Sequence, residues 1–103
     1  MIIHIVKADG VELRDRENFK SFKVVLDDPS LSDAEIARAL DGLAVVEADG
    51  RTVWVSGPAL KNWGGVAQPD AWIDSFDKMV DSVKKFGWVN EADGSVRAHI
   101  ERA

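Results

Sequence analysis

Apolar residues recur at three-and-four spacing through DAWIDSFDKMVDSVKKFG, residues 70–87. Trp72, Ile73, Phe76, Met79, Val80, Val83 and Phe86 form one stripe, the signature of an amphipathic helix. Pro69 and Asp70 mark its start and Gly87 its stop. Asp70 and Asp74 lie near the positive end of the helix dipole, Lys84 and Lys85 near the negative end. Asp74 with Lys78 and Asp81 with Lys85 are acid-first i,i+4 pairs, so the charges read as a solvated face. A shorter helix follows Pro29. Ser32 and Glu35 make a capping box, Leu31 and Ile36 a hydrophobic staple. Ile36, Ala37 and Leu40 face inward, and Gly42 ends the helix.

Elsewhere the chain reads as strands: IIHIVKA, VELR, FKVVLD, LAVVEA, RTVWVS, GWVNEA and SVRAHIE. Three pairs of these are joined by KADG at Lys7 to Gly10 and by EADG at Glu47 to Gly50 and Glu91 to Gly94. Asp-Gly between strand-like runs predicts a hairpin closed by a type I′ turn. The two EADG copies share nothing beyond the turn. After Gly50 the valines fall at Val53 and Val55; after Gly94 the apolar residues fall one step out of phase, at Val96, Ala98 and Ile100. EADG is therefore a way of turning a corner rather than a ligand motif. The expected order is three strands, helix, two strands, helix, two strands. This predicts one α+β domain over residues 1–103, a two-layer sandwich whose mainly antiparallel sheet of hairpins is covered on one face by two helices. The arrangement resembles ferredoxin-like and dimeric α/β-barrel proteins, some of which are small isomerases or oxygenases. That is a likeness of fold and carries no residues across.

Two-residue turns fix the expected cross-strand neighbours. In the first hairpin Lys7 faces Glu12, Ile5 faces Arg14 and His4 faces Asp15. In the third, Asn90 faces Arg97 and Trp88 faces His99, all four on one face. In the second, Trp54 faces Val45. Two constellations follow. His4 beside Asp15 is an imidazole oriented by a carboxylate, the arrangement of a general base. Trp88, His99, Arg97 and Asn90, with Trp54 on the adjacent hairpin, offer aromatic plates beside polar donors and a cation, suited to a planar anionic ligand. The alternatives are a surface pair near a hairpin end and an outer hairpin packed by its aromatics.

Composition narrows the rest. The 103 residues are 46% apolar and 30% charged, with a net charge of -5. An acidic surface is a poor match for nucleic acid or anionic lipid. The run LSDAEIARALDGLAVVEADGRTVWVS has the order of a recognition helix and its wing. Its helix carries one cation, Arg38, among Asp33, Glu35 and Asp41, and the wing only Arg51, too few for phosphate contacts. Cysteine is absent, which removes thiolate chemistry and disulfides and fits a cytoplasmic protein. The first residues do not form a signal peptide, and no apolar run is long enough to span a bilayer. The two histidines lie in no metal-ligand spacing, and neither a nucleophile elbow nor a phosphate-binding loop is present. No metal and no cofactor are expected. Four tryptophans stand against no tyrosine. The first functional expectation is a small-ligand-binding protein, whose catalytic form is a cofactor-independent enzyme using His/Asp acid-base chemistry on an aromatic or acidic molecule. The second is a non-catalytic accessory module of a larger enzyme system. An uncovered sheet face favours a homodimer in the first case.

Overall fold

The computed structural model describes residues 1–7 and 10–102. In chain order they form β1 (Ile2–Lys7), β2 (Gly10–Arg14), β3 (Lys23–Leu26), α1 (Asp33–Ala39), β4 (Ala44–Val46), β5 (Thr52–Ser56), α2 (Gly57–Lys61), α3 (Asp70–Val83), β6 (Val89–Asn90) and β7 (Ser95–Arg102). Short 3-10 turns at Trp63–Gly65 and Lys84–Phe86 flank α3. The strands lie in the order β2-β1-β3-β7-β5-β4, with β6 also paired to β7.

The fold is α+β, and its sheet is mixed: four of the strand pairings are antiparallel, as expected of hairpins, but two are parallel. β1 pairs β3 in parallel, and β3 pairs β7 in parallel. The cause lies in residues 15–22. β2 returns antiparallel to the start of β1, and the chain then steps over that end and descends along the other edge of β1. Backbone contacts tie the step down. The Met1 amine donates to the carbonyls of Asn18 and Ser21, and the Lys23 N–H donates to the Met1 carbonyl at 3.4 Å. Burial pulls the Met1 ammonium below its ordinary pKa, with Asp15 opposing that shift. The hairpin β4–β5 is part of this sheet and not a free wing.

Alternation along the strands sends one set of side chains inward. Ile3, Ile5, Leu13, Val24, Leu26, Val53, Val55, Val96 and Ala98 form one buried cluster with Ile36 and Leu40 of α1, Leu60 of α2, and Trp72 and Phe76 of α3. The helices therefore pack on a single face of the sheet. Trp72 stacks on Phe76 with ring centres 5.2 Å apart and donates its indole N–H to the Arg16 carbonyl at 2.6 Å.

The long helix keeps its expected start. Its last turn tightens into the 3-10 segment, so Asp81 pairs with Lys84 at 3.2 Å in place of Lys85. Phe86, past the end of the stripe, is exposed and packs on Trp88 with ring centres 4.9 Å apart. On α1 the capping box and the staple residues are as expected, although Ala37 is exposed and the half-buried Ala39 packs inward instead. A third helix, α2, was not expected. Its five residues are too short for periodicity to register. Ser56 caps it by accepting the Ala59 N–H, and Pro58 sits in its first turn.

The EADG corners close by a different device from a type I′ turn. Gly50 and Gly94 alone take the positive φ, at 69° and 73°; Asp49 and Asp93 do not. The aspartates act through their carboxylates. Asp49 accepts from the N–H groups of Arg51 and Thr52 and from the Thr52 hydroxyl. Asp93 accepts from the Ser95 N–H and hydroxyl. These hydrogen bonds hold both carboxyls below the ordinary aspartate pKa, chiefly through the Arg51 N–H at Asp49 and the Ser95 hydroxyl at Asp93. Asp9, of the third corner, lies outside the described residues.

The second of these corners is locked to α2. The Gly57 N–H donates to the Gly94 carbonyl at 3.1 Å, and a Cβ on Gly57 would stand 2.6 Å from that same oxygen. No side chain fits between the two backbones. Gly57→Ala is expected to lower stability by about 1–3 kcal/mol through forced separation of α2 from the β6–β7 corner. Urea unfolding with an unchanged slope measures it, and a loss below about 0.5 kcal/mol would show that the corner moves freely.

Candidate functional site

β7 has two hydrogen-bonding edges, and one belongs to β5 from Thr52 to Ser56. The other is divided. β6 takes Ser95 and Val96, and β3 takes Ile100 to Arg102. β6 runs antiparallel to β7 and β3 parallel to it, so both strands start near the middle of β7 and diverge. Extending the registers sets Phe22, just before β3, level with Ala98, and Trp88, just before β6, level with Arg97. The Arg97 N–H donates to the Trp88 carbonyl at 2.8 Å. Past that bond the edge opens into a gap bounded by two aromatic side chains.

The gap is recessed on both sides of the sheet. On the uncovered face a cavity of about 280 Å³ is lined by Phe22, Thr52, Trp88, Arg97, Ala98 and His99. Toward the helices a second, of about 380 Å³, shares Phe22, Trp88 and Arg97 and adds Phe19, Lys20, Met79, Ser82, Val83 and Val96.

Of the residues singled out from the sequence, Trp88, Arg97 and His99 meet at this gap. Their register differs from expectation by two positions. Trp88 lies level with Arg97 and not with His99, and Asn90 faces Ser95 and not Arg97. The corner spans four residues, Glu91 to Gly94, which accounts for the shift. A shift of two keeps each side chain on its face. Trp54 faces Val45 as expected and lies opposite Arg97 on β5, so Trp88, Arg97, Trp54 and Val45 form one cross-strand row. Trp54 donates its indole N–H to Glu47 at 2.6 Å. Asn90 is engaged in its own turn, accepting the Ala92 N–H, and lies outside both recesses.

The electrostatics of the gap are uneven. His99 Nε2 lies 2.9 Å from Glu101, whose other oxygen holds Lys23 at 2.9 Å. These contacts, His99 first, hold the Glu101 carboxyl below its ordinary pKa. The Arg97 guanidinium and the Trp88 indole N–H, by contrast, have no partner among the described residues. Phe22, Lys20 and Phe19 were not recognised as site residues from the sequence. They reach the gap only through the parallel pairing of β3 with β7, which no local pattern announces.

His4 and Asp15 do not meet. A bulge between Ile5 and Lys7 shifts the first hairpin by an odd number of residues, so His4 faces Glu12, and Arg14 faces Ile2. The parity of β2 is thereby reversed, which puts Leu13 in the core beside Ile3. His4 finds its carboxylate at the end of β3 instead, with Nδ1 2.8 Å from Asp27. Arg14 approaches the same nitrogen at 3.2 Å and bridges to Glu12 at 3.1 Å and Asp27 at 3.5 Å. One nitrogen cannot donate to Asp27 and accept from Arg14 together. The shorter contact to a carboxylate decides it: Nδ1 carries the proton, and Nε2 is the acceptor.

Among the described residues no group of three or more His, Cys, Asp or Glu could hold a metal ion, and no helix is long and apolar enough to cross a membrane. Comparison with protein-family models, curated proteins and solved structures returned no match.

The His4 assignment has a spectroscopic consequence. Neutral His4 is expected in the Nδ1–H tautomer, read from long-range 15N–1H correlation at alkaline pH, and Asp27→Asn is expected to return it toward the Nε2–H form. A wild-type ring found in the Nε2–H form would assign the nitrogen to Arg14 instead.

Proposed function

We propose that the protein binds a small molecule at the gap on β7 between the starts of β3 and β6. One observation carries this reading: the Arg97 guanidinium and the Trp88 indole N–H, neither with a partner among the described residues, both belong to a recess between two aromatic side chains. Ligand sites combine an apolar lining with a few convergent polar groups, and Trp88, Phe22, Arg97 and His99 supply both. The row of Trp88, Arg97 and Trp54 offers a flat surface to a planar molecule. The catalytic form of this proposal assigns acid-base work to His99, the imidazole at the gap, with Glu101 orienting its ring. His4 lies three strands away from β6 in the sheet order and lines neither recess.

A homodimer is the second reading, and β4 favours it. This edge strand is Ala44–Val46, uncharged and free of proline, and Val45 is 71% exposed beside Trp54. Unprotected edges of this composition pair with other strands.

The first reading is tested by screening a panel of neutral, cationic and anionic single-ring aromatics against 15N-labelled protein. The Trp88 indole and the Ala98 and His99 amides are expected to shift, with buried Trp72 as the silent reference. A panel that moves none of them sinks the proposal. The second reading is tested by sedimentation velocity at the highest soluble concentration. Wild type is expected to dimerise and Val45→Lys to stay monomeric; a monomeric wild type removes the dimer.

A further inference from the structure

The charge pattern around the helix-side recess identifies the class of ligand, an inference that rests on the small-molecule reading of the same gap. The protein carries 18 acidic residues against 13 basic ones. Five of its 13 cations, Arg14, Lys23, Lys61, Lys84 and Arg102, each hold a carboxylate within 3.5 Å. Lys20 and Arg97 hold none among the described residues, and both are exposed. They line one recess, and no acidic residue lines it with them. In a chain with a surplus of carboxylates, two cations at one apolar cleft that no acidic residue lines bias that cleft toward an anion.

We propose that this recess takes an organic acid with one carboxylate and an apolar, aryl or alkyl body. The body contacts Phe22, Met79, Val83 and Trp88. The carboxylate meets the Arg97 fork, whose two parallel N–H groups match its geometry, and Lys20 adds a second point charge. A phosphate ester fits less well. Phosphate sites draw on helix N-termini or backbone nests. Met79 and Val83 instead bring the C-terminal turns of α3 to the recess, with the partial negative charge of a helix end. Two cations offset that charge for a monoanion and leave a dianion short. The volume, about 380 Å³, is at the low end for ligand pockets and suits a single-ring acid.

The test compares 4-phenylbutyrate, its primary amide and phenyl phosphate by calorimetric or NMR titration of the whole chain. The acid is expected to bind roughly tenfold to a hundredfold more tightly than the amide, the range for hydrogen bonds to a charged group. Arg97→Gln and, to a lesser degree, Lys20→Gln are expected to bring acid affinity down toward that of the amide while leaving the amide unchanged. Both side chains are exposed, and thermal melts of the variants confirm that the fold is kept. Equal binding of acid and amide, with no effect of Arg97→Gln, overturns the acid class and leaves the small-molecule reading standing. Tighter binding of phenyl phosphate than of the acid overturns the choice of carboxylate. If neither these probes nor the aromatic panel binds at the gap, both readings fall together.

Discussion

A β-strand has two edges, and the structure depends on how β7 divides its own. β5 occupies one edge for five residues, which makes β7 the only link between the β2-β1-β3 half of the sheet and the β5-β4 half among the described strands. β3 and β6 share the other edge and run in opposite directions. Two strands that start at neighbouring positions and diverge cannot continue each other's hydrogen-bond ladder, so the edge between them is left partly open. The closing bond from the Arg97 N–H to the Trp88 carbonyl marks how far β6 reaches. The gap that follows is a geometric consequence of the topology.

The same division explains what the sequence could and could not announce. Helix patterning and caps are local, and the start and apolar stripe of α3 through Val83 and the capping box of α1 were legible, whereas the 3-10 turn that carries Phe86 out of the stripe was not. The second hairpin was legible too, because its corner keeps the register that pairs Trp54 with Val45. The other two hairpins failed through their loops. A four-residue corner moved Trp88 and Asn90 by two positions and spared their faces. A bulge moved β2 by an odd number and reversed its faces, which dissolved the pairing of His4 with Asp15. Parallel pairing was illegible altogether. FKVVLD reads the same whether it joins a meander or crosses to a distant strand, and only the step over Met1 decides. The candidate site inherits that limit: Trp88, Arg97 and His99 could be assembled from one hairpin, whereas Phe22 and Lys20 arrive through long-range pairing.

Packing and polarity are separated with some strictness. No buried side-chain polar atom lacks a partner among the described residues. Buried Gln68 donates to the Leu60 carbonyl, and buried Thr52 and Ser95 bond to the corner aspartates. The unpaired groups are therefore not defects of the core. They lie where water reaches them, and an exposed donor costs little to leave open. What distinguishes Arg97 and Trp88 is their setting against aromatic and aliphatic walls, where a ligand could displace water from donors and carbon together.

An open edge in the middle of a sheet exposes backbone as well as side chains, and such edges are hazards unless covered. Here the open stretch is flanked by two aromatic residues rather than closed by a strand. Phe22 precedes β3 and Trp88 precedes β6, so each ring is carried by the residue just before a short element and not by one within it. β6 is only two residues long and is held to β7 at Val89 and Asn90. The Trp88 side of the gap is thus secured by few backbone bonds, by its contact with Phe86 and by the corner locked against Gly57. A site built this way gains its aromatic wall without committing Trp88 to the core, and its shape depends on the Gly57–Gly94 contact some distance along the chain. Substitutions at that corner therefore act on the recess through the position of β6, even though neither glycine lines it.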